Sequence, residues 1–184
     1  MNSKATKFNL KLRDMCFIAI FTAVISVLAQ ISIPMPLGVP LTLQTFAVML
    51  AGIILGAKKA TIALLVYLML GAVGVPVFAM GNAGFARIIG PWGGFLMSYP
   101  LMALIIGLGS DSGKKVLLIV SLVCGVIINL SSGTFWLAFQ SGTGLREAFL
   151  AAFAPFIVVE IIKMVMAFGV GHPVRHILKK GGLL

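Results

Sequence analysis

Six apolar runs, at about residues 15–33, 41–55, 60–77, 92–108, 116–139 and 156–170, take up most of the chain and are separated by short stretches rich in Pro, Gly or Lys. A hydrocarbon core of ~30 Å is crossed by ~20 apolar residues in helical form. A run isolated in lipid must satisfy its own backbone hydrogen bonds, so each is expected to be a helix. The prediction is an all-α integral membrane protein of six transmembrane helices, forming a single membrane domain over residues 1–184. Of the 184 residues, 60% are apolar, against ~45–50% in ordinary soluble domains. Six spans leave too few residues for a separate soluble catalytic domain. The second run is short and has polar residues at its entry, Thr42, Gln44 and Thr45.

The net charge of +10, from 14 Lys+Arg against 4 Asp+Glu, raises the question of nucleic acid, and its distribution answers it. With the N-terminus inside, eleven basic residues fall on the cytoplasmic side: Lys4, Lys7, Lys11, Arg13, Lys58, Lys59, Lys114, Lys115, Arg175, Lys179 and Lys180. Only Arg87 and Arg146 fall outside, and Lys163 lies within a span. This is the positive-inside pattern. It predicts both termini cytoplasmic in a multi-pass protein of the cell membrane, and it removes any need for a nucleic-acid partner.

The outer connections are not solvated linkers. Residues 34–40 (PMPLGVP) are too apolar for that and too proline-rich for a helix. Residues 71–94 scatter seven glycines among Pro76, Phe78, Phe85, Pro91 and Trp92. Glycine permits tight turns and close backbone approach, so these segments are read either as helix packing and turns or as covers over an apolar ligand. The N-terminal run lacks a small-residue cleavage pattern and is not read as a cleavable signal. Residues 181–184 carry no weight in this reading.

The most informative chemistry lies in residues 155–163 (PFIVVEIIK), where Glu160 and Lys163 stand inside a span. An ionisable residue there costs ~2.5–3.5 kcal/mol even on insertion scales and marks a functional site by default. Three residues apart, the two share a helix face. One reading is a structural ion pair. The other is a pocket open to the outside, in which Lys163 binds a ligand carboxylate and Glu160 accepts from ligand N–H donors. Enzyme signatures are missing: Gly107–Lys115 departs from a phosphate-binding loop at Leu108 and Lys115, and His172 and His176 have no acidic or cysteine companion for a metal. Cys16 and Cys124 lie in apolar runs without disulfide or metal spacing. No catalytic residue, metal or cofactor is expected. Ala19 and Ala23, like Gly52 and Gly56, have the small-xxx-small spacing that lets helices approach closely, within the chain or on a second membrane protein.

Four stretches together, Val39–Phe46 (VPLTLQTF), Gly71–Ala79 (GAVGVPVFA), Gly90–Phe95 (GPWGGF) and Pro155–Lys163, make the chain resemble, over essentially its whole length, the BioY family of biotin-specific substrate-binding components of energy-coupling-factor transporters. Trp92, Phe95, Glu160 and Val158-Val159 stand where the family pattern has Thr, Tyr, Asp and Pro-Gly. The resemblance implies a six-helix protein that captures biotin from outside and joins a shared transmembrane coupling subunit with two ATPases. It implies docking through alanines at helical spacing, matched by Ala19 and Ala23. For biotin, Lys163 is the expected cation and Glu160 the acceptor. Phe156, Trp92 and Phe95 are candidate walls, with Gln44 and Asn129 as further polar contacts. The alternative is a self-sufficient carrier or channel in which Glu160 and Lys163 relay an ion or proton.

Overall fold

The computed structural model describes residues 11–33 and 40–184. The helices are α1 (Leu12–Gln30), α2 (Gln44–Leu55), α3 (Ala57–Ala72), α4 (Phe85–Ile89), α5 (Gly93–Asp111), α6 (Lys115–Ser141), α7 (Leu145–Ala152) and α8 (Ala154–Lys180). Four stretches are long and apolar enough to cross a membrane: α1, α5, α6 and the continuous Leu145–Lys180 segment that holds α7 and α8. Their exposed faces carry large apolar side chains, among them Ile20, Val27, Phe135, Phe139, Val165 and Ile177. In water such surfaces would aggregate; against acyl chains they are at home. Cys16 and Cys124 are free thiols on these outer faces.

The short second run has a structural reason. α2 has only 12 residues, and ten of them are buried. It packs mainly against α5 and α8, with α1 and α3 beside it. A helix encased by protein need not match the thickness of the hydrocarbon. Its run starts late because Leu41–Thr42 is a strand, β2, paired antiparallel with Ser32–Ile33, β1. That two-stranded ribbon brackets residues 34–39, so the proline-rich cover expected from sequence lies outside the described residues apart from Pro40.

Two short helices, α4 and α7, interrupt stretches expected to be loops. α4 belongs to the glycine-rich connection. Two glycines there and opposite it have identifiable work. A Cβ on Gly71 would stand 2.0 Å from Phe78 Cζ, and one on Gly133 would stand 2.2 Å from Phe95 Cδ1. Both rings occupy space that a side chain would otherwise fill.

At one end of the bundle the polar residues are tied together. Lys59 pairs with Asp14 at 3.1 Å. Arg175 donates to Asp111 at 2.6 Å and to the Ile53 carbonyl at 2.8 Å. The other Asp111 oxygen accepts from the Ala57 amide at 2.9 Å. Arg13 donates to the Gly182 carbonyl, which places the start of α1 beside the segment that follows α8.

Candidate ligand-binding site

At the opposite end of the bundle lies a cavity of about 210 Å³. Its floor is polar and buried. α8 begins with Ala154 and Pro155, where proline costs no hydrogen bond, and two turns later presents Glu160 and Lys163 inward, both almost fully buried. The Lys163 ammonium donates to Glu160 Oε1 at 2.6 Å and to Thr45 Oγ1 at 2.9 Å. The Thr45 hydroxyl in turn donates to the same Glu160 oxygen at 2.7 Å. This three-membered cluster ties α8 to the first turn of α2. It leaves Glu160 Oε2 buried and without a hydrogen-bond partner among the described residues. It also leaves one N–H of the ammonium unassigned, since two of three donors are used. A carboxylate oxygen buried without a donor is costly, so Glu160 Oε2 offers an acceptor to an N–H entering the cavity.

The seven residues singled out for ligand contact all line this cavity: Lys163, Glu160, Gln44, Asn129, Phe156, Trp92 and Phe95. Two are also occupied elsewhere. Gln44 donates from its amide to the Tyr67 hydroxyl, which in turn donates to the Val77 carbonyl at 3.0 Å. Asn129 donates to Ser98 Oγ at 2.7 Å and to the Phe95 carbonyl at 3.1 Å. These bonds hold the walls in place. Trp92 and Phe95 are partly buried, and Phe156 is buried.

Sequence reasoning did not single out Thr45, Tyr99, Phe78, Asn82 or Arg87 as contact residues, yet all line the cavity. Arg87, on α4, is half-buried near the rim, and its guanidinium donates to Asn82 Oδ1 at 2.6 Å. Among the described residues its hydrogen-bond partner is neutral. Arg87 was legible as an outer-loop cation; what placed it at a site is the turn of α4, which no periodicity announces. Ala19 and Ala23 do not line this cavity; both are exposed on α1.

A family model described as BioY matches residues 1–180. The chain is 41% identical over 158 residues to a probable biotin transporter BioY of Pyrococcus horikoshii, covering 86% of this chain and 93% of that one. It is 39% identical over 160 residues to the biotin transporter BioY2 of Lactococcus lactis, covering 86% and 87%. Among solved structures it resembles the S-component for biotin from an ECF-type ABC transporter, with a TM-score of 0.82 and 31% identity over 94% of this chain and 95% of that one. A match along nearly the whole length, in sequence and in fold, places the chain: it belongs to the BioY family.

Proposed function

We propose that this chain is the substrate-binding component of an ATP-driven vitamin importer, capturing biotin from the extracellular side and delivering it with a shared transmembrane coupling subunit and two ATPases. The observation that carries the reading is the buried Thr45–Glu160–Lys163 cluster with its unpartnered Glu160 oxygen. Biotin has a neutral ureido ring with two N–H donors and a carbonyl acceptor at one end, and an anionic carboxylate on a flexible apolar tail at the other. The aromatic walls suit the ring and the tail. The family names support the ligand.

The division of labour between the two ends follows from geometry. Glu160 and Lys163 are in contact, so they serve the same end of an extended ligand. Glu160 Oε2 accepts a ureido N–H, and the remaining ammonium proton of Lys163 donates to the ureido carbonyl. The carboxylate then falls to Arg87 at the rim rather than to Lys163. Charge agrees: the pair at the floor is already neutral, whereas Arg87 is held only by an amide. A carboxylate meeting a guanidinium can form a bidentate, charge-assisted contact.

The basic end of the bundle is the cytoplasmic end in this reading, with six membrane spans and both termini inside. Single cysteines at Lys59, Lys115 and Lys180, in a background without Cys16 and Cys124, should be labelled only from the cytoplasmic side, and those at Gly38 and Gly144 only from outside. Labelling of position 115 from outside would overturn the span count. The carrier alternative is separated by titrating the purified chain with biotin and assaying the same chain in sealed vesicles. Saturable binding without transfer across the vesicle is expected; biotin or ion movement by the chain alone would favour the relay.

A further inference from the structure

The bundle's other end holds a second cavity, of about 130 Å³, formed by the α5–α6 turn and the last turns of α8. Lys114, Lys115, His172, Arg175, His176 and Lys179 all line it. The chain has four acidic residues, and three are elsewhere: Asp14 pairs with Lys59, Glu160 sits in the ligand cavity, and Glu147 is on α7. Asp111 remains, bound to Arg175. Even with both histidines neutral, Lys114, Lys115 and Lys179 are left with no acidic partner among the described residues. The first turn of α6 forms one wall, and its N-cap residue, Lys114, supplies no side-chain cap, so open backbone N–H groups add to the positive potential. Next to this concentration of charge stand the exposed apolar side chains of Val116, Leu117 and Ile177.

We propose that this cavity is a binding site for a phosphate-bearing anion, presented as the headgroup of an anionic phospholipid or as free phosphate. The apolar border favours the lipid: acyl chains would run along α6 and α8 while the phosphate sits among Lys114, Lys115, His176 and Lys179. Basic pockets between helices at the cytoplasmic edge are chemically suited to such headgroups. The assignment to the inner leaflet rests on the membrane orientation proposed above; the anion site itself rests only on the charges and the cavity.

The test uses the purified full chain, delipidated in detergent and titrated with phosphatidylglycerol, phosphatidylcholine and inorganic phosphate, with retention read by native mass spectrometry. The wild-type chain should prefer phosphatidylglycerol over phosphatidylcholine by roughly 10-fold or more, and Lys115→Gln/Lys179→Gln should remove most of that preference. A control with the same loss of charge outside the cavity, Lys11→Gln/Lys58→Gln, should keep it. Displacement of the lipid by inorganic phosphate at matched concentration would identify free phosphate as the source; no displacement would identify the lipid. Equal loss in both double variants, or no anion preference in the wild type, would overturn the site and leave only a diffuse positive surface. Biotin titration of the same variants reports folding through the opposite end of the bundle. Failure of biotin binding in the wild type would strike the proposed function and leave this result standing.

Discussion

Glu160→Gln is expected to lower the stability of the chain by ~3–5 kcal/mol, because the buried Lys163 ammonium loses its counter-charge. Lys163→Met should cost a similar amount for the converse reason. The double variant Glu160→Gln/Lys163→Met should recover most of that loss, since replacing both members of a buried pair by neutral groups of similar size is often neutral or better. Biotin binding should behave differently. Each single change removes a charge-assisted hydrogen bond of ~1.5–3 kcal/mol, roughly 10- to 150-fold in affinity, and the double variant should not regain it. Thermal unfolding in detergent and equilibrium binding, measured on the same four proteins, separate the two roles. If affinity returned together with stability, the pair would be a structural bridge and the ligand contact would lie elsewhere.

Ala19→Leu/Ala23→Leu is expected to weaken assembly with the coupling subunit, read as reduced co-purification, while leaving biotin affinity within about twofold of wild type. Both alanines are exposed on α1, one turn apart, with Ile20 and Val27 exposed on the same helix. Added bulk there reaches neither the core nor the ligand cavity. It would hold a docking helix off by up to the extension of an isobutyl side chain, at two points one turn apart. An overpacked helix contact costs ~1–3 kcal/mol, about 5- to 150-fold in assembly, and uptake should fall with it. Assembly that survives the double change would show that these alanines do not form the docking surface.

The long helices were legible because apolar runs have no other way to exist in a bilayer: α1, α3, α5, α6 and α8 each overlap one run. What was not legible is where pattern gives way to tertiary context. α2 starts at Gln44 rather than at Leu41 because β2 pairs with β1. α4 and α7 are too short to establish a period.

The site divides in the same way. Glu160 and Lys163 stand out in sequence because charge inside an apolar run carries a penalty that demands a reason. Thr45 and Tyr99 carry no such penalty: Thr45 stands out only as a polar residue at the entry of its run, although its hydroxyl bridges the pair. The same blindness affected the ligand's second end. A loop arginine counts toward orientation, and only the placement of α4 puts Arg87 on the cavity.

Equilibrium titration of the purified chain, without partners, with biotin and with biotin amide tests the central claim most directly. The wild type should bind biotin saturably and the amide more weakly by ~1.5–3 kcal/mol, roughly 10- to 150-fold, because the amide lacks the anion that Arg87 is proposed to receive. In Arg87→Gln the difference between the two ligands should collapse, while in Lys163→Met both should weaken and the difference should persist. Collapse in Lys163→Met instead would return the carboxylate to Lys163. An absence of saturable biotin binding by the wild-type chain would contradict the account.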